Sequence, residues 1–143
     1  MNANLKFSVR AATWHEDRAA LQALRSEVFV VEQRVPEELE WDEADATCIH
    51  VLAVDDQGRP LGTGRLLPDG QIGRMAVLPQ WRRHGVGSAI LEFLLDCAHR
   101  HRITVYLNAQ THAIGFYERH GFAAEGDVFM DAGIPHRRMT LSR

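Results

Sequence analysis

Residues 72–88 have the sequence IGRMAVLPQWRRHGVGS, which predicts a strand, a basic turn and the start of a helix. The strand covers Ile72–Leu78 and ends at Pro79, which cannot continue a ladder of hydrogen bonds. The helix is expected at Gly85–His101, where apolar residues recur at spacings of three and four: Val86, Ile90, Phe93, Leu94 and Cys97. A buried-looking strand at Ile103–Leu107 completes a strand–helix–strand crossover, which is typical of a mixed α/β sheet.

The turn between this strand and this helix has the features of an anion-binding site. The first N–H groups of a helix lack partners within the helix, and the helix dipole adds about half a positive charge at that end. Gly85 and Gly87 let the backbone approach a phosphate closely, and Arg82 and Arg83 add charged donors suited to phosphate oxygens. Taken alone, the two glycines would more often only shape a strand-to-helix turn.

Two nucleotide-binding motifs fit this turn poorly. A P-loop needs Lys-Ser or Lys-Thr after its glycines, and no such pair follows here. The dinucleotide fingerprint G-x-G-x-x-G matches at Gly85 and Gly87, but Ile90 stands at its third position. The acidic residue expected about twenty positions further on is also missing, so neither motif is predicted.

The rest of the chain alternates between strand and helix patterns without a repeat or a linker, which predicts one domain over residues 1–143. A first helix is expected to place Leu21, Leu24, Val28 and Val31 on one face. The other expected elements are a strand at 5–9, a loop at 36–45, strands at 49–54 and 61–67 that form an antiparallel meander with 72–78, a helix at 111–120, and strands at 122–130 and 138–141.

Composition and charge limit the function classes. With 143 residues, of which 45% are hydrophobic, the chain can bury a core but is too short for two ordinary domains. A net charge of −3 argues against nucleic-acid or membrane-surface binding, and no apolar run approaches the length of a membrane span. We therefore expect no nucleic-acid or membrane partner and a cytoplasmic location. Cys48 and Cys97 are expected to be reduced thiols, and their spacing to His50 and His99 does not match a zinc site.

The motifs around the turn resemble those of the GNAT superfamily of acyl-CoA N-acyltransferases. Arg82-x-x-Gly85-x-Gly87 is similar to the pyrophosphate-loop pattern Gln/Arg-x-x-Gly-x-Gly/Ala of that family, and residues 113–122, AIGFYERHGF, resemble its second signature. Further segments resemble the ElaA/YjcF-type branch: 28–33, Asp42-x-x-Asp45, His50, Gly62-x-Gly64-Arg65 and Ile134-Pro135-His136. The resemblance implies a single-domain α/β fold with a mixed six- to seven-stranded sheet, splayed between the fourth and fifth strands and flanked by helices.

The resemblance also implies acetyl-CoA as the acyl-donor substrate, with no metal. The residues that would hold its pyrophosphate are Arg82, Arg83, His84, Gly85, Val86, Gly87 and Ser88. Main-chain groups of Met75, Ala76 and Val77 would bind the pantetheine arm as an added strand would, and an N–H near Ala76 would help to stabilise the oxyanion. Gln110, Ala113, Phe116 and Tyr117 complete the expected cofactor contacts, with Gln110 standing where many members have Asn.

Tyr117 would be the general acid that protonates the departing thiolate, although it could instead only pack in the core beside Phe116 and Phe122. An amine acceptor must also lose a proton, because an ammonium with a pKa of about 10.4 is almost fully charged at pH 7. The strand before the turn has no acid. The candidates for this base are Glu32, Asp42, Asp45 and His50, of which His50 could equally be a structural residue.

The charge of the acceptor stays open. Residues 32–56 contain nine acids and only one base, Arg34, which favours a cationic acceptor or simply a solvated loop. Basic residues could instead line the acceptor end: Arg65, Arg74, His136, Arg137 and Arg138. We predict an N-acetyltransferase that transfers an acetyl group from acetyl-CoA to a primary amine of a small molecule or peptide by direct attack in a ternary complex. The alternative is a non-catalytic acyl-CoA-binding or sensor module, and a homodimer is compatible with both.

Overall fold

The computed structural model describes residues 6–36 and 43–141. Within these residues, seven strands form one open, mixed sheet with the order β1-β2-β3-β4-β5-β7-β6. The strands are β1 (Phe7–Ala12), β2 (Ile49–Asp55), β3 (Pro60–Leu66), β4 (Gln71–Val77), β5 (Tyr106–Gln110), β6 (Phe122–Asp131) and β7 (Ile134–Leu141). Three α-helices flank the sheet: α1 (Trp14–Arg25), α2 (Val86–Arg100) and α3 (Ile114–Glu118). The described part of the chain thus has the mixed α/β architecture predicted from its sequence.

The sheet splays between its fourth and fifth strands, as predicted. β4 and β5 are parallel and pair only through Gln71 with Tyr106 and Ile72 with Leu107. Beyond Ile72, β4 continues to Val77 while pairing only with β3 on its other side. The two parallel strands therefore diverge toward their carboxyl ends, and the backbone of β4 there is left without a partner strand in the described residues.

A β-bulge interrupts β4 at the point where the strands diverge. Thr63 pairs with Ala76 and Arg65 pairs with Gly73, so one residue of β3 faces two residues of β4. Arg74, one of these two, has a φ of 50°, in the left-handed region that non-glycine residues seldom adopt. A bulge of this kind leaves one residue outside the ladder of hydrogen bonds and bends the strand. The surface that β4 presents to the cleft is therefore irregular.

Two glycines of β3 allow α2 to lie close to the sheet. A Cβ at Gly64 would come within 2.8 Å of Ile90 Cγ2, and one at Gly62 would lie 3.0 Å from Ile90 Cδ1. Ile90 and Leu94 of α2 are fully buried against this face. A smaller cluster on the opposite face holds α1: Ala12, Leu21, Leu24 and Leu52. The close contact fixes where α2 begins, and hence the position of its N-terminus.

The first helix differs from its prediction. The α-helix ends at Arg25 and continues as a π-helical segment, Ser26–Glu32, in which the N–H of Gln33 bonds to the carbonyl of Val28 at 3.0 Å. The wider turn rotates later residues away from the apolar face, so Val28 is buried while Val31 is 70% exposed. The prediction that Val31 shares the buried face is therefore wrong.

The last strand is longer than predicted and begins at Ile134 instead of Arg138. It forms a hairpin with β6 through Ala132 and Gly133, whose φ angles of 52° and 77° suit a tight turn between antiparallel strands. Pro135 and the exposed residues at the tip of this hairpin interrupt the alternation of apolar and polar residues by which a strand is predicted from sequence. No helix in the described ranges is long and apolar enough to cross a bilayer. Asp42, one of the candidate bases, lies outside the described residues.

Candidate active site

The divergence of β4 and β5 creates a cleft with a volume of about 890 Å³. Residues 73–77 of β4 form one wall, and Asn108 and Gln110 of β5 contribute to another. Further lining comes from the start of α2, from α3, from the π-helical segment and from the β6–β7 hairpin: Gly87, Ala113, Phe116, Tyr117, Glu32, Gln33, Asp131 and His136. Most of the residues predicted to meet the acyl donor are thereby brought into one cavity.

Tyr117 projects from α3 toward β4. Its Oη donates a hydrogen bond to Sδ of Met75 at 3.6 Å, and its ring makes edge contacts with Phe116 and Phe122. Burial raises the pKa of Tyr117 to about 12, so the phenol stays protonated at neutral pH. A thioether is a weak acceptor, and a ligand entering the cleft could take over this hydrogen bond. The Tyr117 side chain thus packs its ring in the core and also directs its hydroxyl donor into the cleft.

The turn before α2 presents backbone N–H groups. Gly85 precedes the helix with a φ of 85°, a left-handed conformation that glycine adopts without strain. The first N–H bonded within the helix is that of Ala89, which donates to the carbonyl of Gly85 at 3.0 Å. The N–H groups of residues 86–88 therefore have no acceptor within the helix, which makes this terminus suitable for an anion. Arg83 and His84 in the same turn are exposed.

Arg82 and Glu32, predicted to serve as a phosphate ligand and a base, are paired with each other. The two terminal nitrogens of Arg82 contact the two carboxylate oxygens of Glu32 at 2.8 and 2.7 Å, and its Nε donates to the carbonyl of Val77 at 3.0 Å. The hydrogen bonds from Arg82 lower the pKa of Glu32, and those to Glu32 raise the pKa of Arg82. Glu32 is consequently a weaker base than an ordinary glutamate, and the charge of Arg82 is largely compensated.

His50 and Asp45 belong to a buried polar cluster that does not line the cleft. Asp45 Oδ1 accepts from Arg25 and from Arg65, both at 2.7 Å, while His50 Nε2 donates to the carbonyl of Asp45 at 2.8 Å and its ring stacks on Trp14. Burial lowers the pKa of His50. Although burial acts in the opposite direction on Asp45, its bonds and charges with Arg25 and Arg65 keep its pKa below the usual value. This cluster joins α1 to β2 and β3, and the structure does not bring it together with Tyr117.

Gln110 connects β5 to the π-helical segment. Its Nε2 donates to Oε1 of Gln33 at 2.8 Å, and its own Oε1 accepts from Nε2 of His112 at 2.6 Å. In this arrangement the amide predicted to contact the cofactor bridges two walls of the cleft. The longer side chain of Gln, compared with the Asn of many related proteins, allows this reach.

His136, one of the basic residues predicted as possible lining of the acceptor end, lies in the cleft. It lies on β7 opposite Gln110, and its ring stacks on Phe129. Its Nδ1 lies 2.7 Å from the carbonyl of Ile134, which can only accept, so Nδ1 carries the proton. In the neutral imidazole, Nε2 then has a free lone pair, and it has no hydrogen-bond partner among the described residues. The sequence pointed to this residue through its charge and through the segment Ile134-Pro135-His136, but not to a role as a base.

Ser88 and Val86 lie outside the cleft lining. Val86 is buried in the core, and the Oγ of half-buried Ser88 contacts Nε2 of His120 at 3.1 Å. In residues 6–36 and 43–141, no three His, Cys, Asp or Glu side chains are grouped so as to hold a metal ion.

Comparison with known proteins agrees with this geometry. Residues 11–143 match the family model described as Acetyltransferase (GNAT) domain. The N-acetyltransferase YjcF of Bacillus subtilis is 40% identical over 121 residues, which cover 81% of this chain and 86% of the relative. The crystal structure of an acyl-CoA N-acyltransferase from Pseudomonas aeruginosa superposes with a TM-score of 0.83 at 33% identity, covering 94% of this chain and 99% of that one. The crystal structure of Escherichia coli ElaA gives a TM-score of 0.84 at 29% identity, covering 95% and 99%. The chain therefore belongs to the GNAT acetyltransferase family, in its ElaA/YjcF-like branch, and is an acyl-CoA-dependent N-acyltransferase.

Proposed function

We propose that this enzyme transfers an acetyl group from acetyl-CoA to a primary amine of a small molecule or peptide, by direct attack within a ternary complex. The observation that carries the proposal is the position of Tyr117, whose hydroxyl points at Met75 of β4 inside the cleft that also includes the start of α2. One cavity thereby combines a donor for a leaving group, an unpaired strand edge and an anion-binding helix terminus.

The acyl donor would occupy the cleft in two parts. Its pyrophosphate would lie against the N–H groups of residues 86–88, with Arg83 and His84 adding donors. Its pantetheine arm would run along β4 beyond Ile72, where no strand of residues 6–36 or 43–141 pairs with it on the β5 side. Arg82 would act mainly by shaping the turn, since its three nitrogens already bond to Val77 and Glu32.

The acyl transfer forms a C–N bond between the amine and the thioester carbonyl carbon and then breaks the C–S bond. A backbone N–H near Ala76, beside the bulge, would stabilise the oxyanion of the tetrahedral intermediate. Tyr117 would donate its proton to the departing sulfur. With a pKa of about 12 against about 8.5 for an ordinary thiol, that transfer alone is uphill. Tyr117 would regain a proton from the nitrogen of the intermediate, which is positively charged after the attack and must lose a proton to give the amide.

We assign the first proton, the one that leaves the ammonium before attack, to His136 as base. Its Nε2 lone pair is open and its tautomer is fixed by the Nδ1 bond to Ile134. Glu32 has a lowered pKa and is bound to Arg82, and His50 lies outside the cleft. A water between the ammonium and Nε2 would carry the proton, as imidazoles commonly act near neutral pH. Asp131, exposed at the same cleft, would attract the cationic acceptor.

An assay of thiol release tests the proposal. The protein is incubated with acetyl-CoA and a panel of primary amines that includes polyamines, amino sugars and lysine-containing peptides. Amine-dependent release of free coenzyme A, together with protection of the fold by CoA against heat, is the expected result. Protection without turnover on a broad panel would instead indicate a non-catalytic acyl-CoA-binding module, and the absence of any CoA binding would contradict the assignment of the cleft.

A further inference from the structure

A chain of three polar side chains lies beside the N-terminus of α2. Oγ of Ser88 is 3.1 Å from Nε2 of His120, and Nδ1 of His120 is 3.1 Å from Oε2 of Glu92. Ser88 is the third residue of α2, and His120 lies two residues after the end of α3, with its ring 5.1 Å from that of Phe116. The turn that would bind pyrophosphate is thus connected to a titratable side chain outside the main cleft.

The order of these contacts is that of a Ser-His-acid triad, but the surroundings of Ser88 do not suit a nucleophile. A nucleophilic hydroxyl must face a space where a substrate carbonyl can lie. Ser88 is half-buried and lines neither the main cleft nor a second cavity of about 420 Å³ that His120 and Glu92 share. As the third residue of α2, Ser88 instead belongs to the first turn of the helix, whose free N–H groups would bind an anion.

The hydrogen-bond roles depend on the protonation of His120. The carboxylate of Glu92 only accepts, so Nδ1 of His120 carries a proton. In the neutral imidazole, Nε2 then accepts the hydroxyl proton of Ser88, and Oγ presents only lone pairs to an incoming anion. In the imidazolium, Nε2 donates to Oγ, and the hydroxyl proton of Ser88 becomes free to bind a phosphate oxygen.

We propose that His120, oriented by Glu92, is a positioning residue for Ser88, and that binding of the acyl-CoA pyrophosphate at the α2 N-terminus draws a proton onto His120. This inference rests on the proposed function, since it assumes that acyl-CoA binds at the turn. By linkage, a phosphate that favours the imidazolium is itself bound more tightly when His120 is protonated. Acyl-CoA affinity is then coupled to pH through a residue that does not touch the thioester.

The charged and titratable groups around His120 come from α2 and from its own chain neighbours. From α2, Glu92, Asp96 and His99 line the second cavity together with His120. The other residues of that lining, Leu95 and Leu141, are apolar, and the chain neighbours Glu118 and Arg119 have opposite charges. Asp96 is itself paired with Arg100 of the same helix, with 3.6 Å between Nε and Oδ2, so Glu92 is the carboxylate that contacts His120.

Calorimetric titration in buffers of different ionisation enthalpy measures the proton uptake directly. The ligand is acetyl-dephospho-CoA, which keeps the pyrophosphate but lacks the 3′-phosphate, because a phosphate monoester itself titrates near a pKa of about 6. The wild type is expected to take up a fraction of a proton on binding. His120→Gln should abolish that uptake, while its amide can still donate to Ser88 and preserve much of the affinity.

Two further variants test whether His120 acts by positioning Ser88 or only by stabilising the fold. His120→Leu, which cannot donate to Ser88, should raise the Kd for acetyl-dephospho-CoA by about tenfold or more, the loss of one charge-assisted bond. His99→Gln, the exposed imidazole of the same cavity, is the matched control and should change neither affinity nor proton uptake. In a Ser88→Ala background, His120→Leu should have no additional effect on affinity.

The truncated donor S-acetyl-N-acetylcysteamine, which contains no phosphate, provides the last comparison. Its kcat/KM should be the same for wild type and His120→Leu, with thermal unfolding confirming that both are folded. Equal proton uptake by wild type and His120→Gln would overturn the inference, as would an equal loss of activity with both donors in His120→Leu. If the wild type binds neither acetyl-CoA nor acetyl-dephospho-CoA, the proposed function fails instead.

Discussion

The side chains of Arg82 and Glu32, fifty positions apart, form an ion pair through two hydrogen bonds of 2.8 and 2.7 Å. The pair links the turn before α2 to the π-helical segment across the edge of the cleft. It leaves the turn less positive than its sequence indicates, and it makes Glu32 a less basic carboxylate. In this pair Glu32 is the counter-charge of Arg82, which is a different role from that of a base.

Glu32→Gln is expected to tighten acetyl-CoA binding several-fold and to leave kcat close to that of the wild type. Removing the carboxylate releases the charge of Arg82 beside the phosphates, whereas the pair is exposed enough that its loss should cost only about 0–1 kcal/mol of stability. Steady-state kinetics and acetyl-CoA titration measure both effects. Glu27→Gln, an exposed residue of the same segment outside the cleft lining, is the control. A large loss of kcat in Glu32→Gln but not in Glu27→Gln would instead indicate that Glu32 is the base.

His136→Gln is expected to lower kcat/KM about a hundredfold near neutral pH, and by less in alkali, where more of the amine is already neutral. The pH profiles of wild type and variant should therefore differ in shape. A weakly basic amine such as trifluoroethylamine is already neutral at pH 7 and should be acetylated by wild type and variant at similar rates. His15→Gln, exposed on α1, should behave as the wild type. An unchanged pH profile in His136→Gln would exclude His136 as the base.

Because His50 is buried, we predict that the folded protein loses stability in acid. Because burial lowers its pKa in the folded state, the unfolded chain binds a proton there more readily. Its contribution to stability is complete above the unfolded pKa of about 6.5 and is lost as pH falls through the folded value. Urea unfolding between pH 7.5 and pH 5 is expected to show this decline for the wild type, and a smaller one for His50→Gln. Equal slopes for the two proteins would argue against the effect.

Gly64→Ala is expected to destabilise the fold by about 1–3 kcal/mol. The new Cβ would lie 2.8 Å from Ile90 Cγ2, and α2 would have to move away from the sheet together with its N-terminus. Acetyl-CoA affinity should fall as well, since the anion-binding turn moves with the helix. Gly73→Ala on β4 is the matched control for stability, because a Cβ there meets nothing within 4 Å. Denaturant unfolding that finds the two variants equally stable would contradict this account of the packing.

The elements built from local patterns were predictable from the sequence. The apolar periodicity of α2, the glycines before it and the preceding strand specify the β4–α2–β5 crossover, because each signal lies within a few residues. The parts of the site that depend on contacts between residues distant in the sequence were not predictable in this way. His136 enters the cleft because β7 lies beside β5, and Glu32 is neutralised by Arg82 fifty positions away. Likewise, the strand pattern placed His50 on β2 but could not tell that its face holds the Asp45 cluster.

The proposal that Tyr117 acts on the leaving group is tested most directly by its removal. Tyr117→Phe is compared with Tyr106→Phe, the other tyrosine of the chain, whose hydroxyl donates to Asp69 outside the cleft lining. The measurement is kcat for coenzyme A release from acetyl-CoA with an accepted amine, together with the Kd for acetyl-CoA. The account predicts a kcat lower by about a hundredfold or more in Tyr117→Phe, with little change in Kd, and near-wild-type values in Tyr106→Phe. A Tyr117→Phe enzyme that keeps the kcat of the wild type would contradict it.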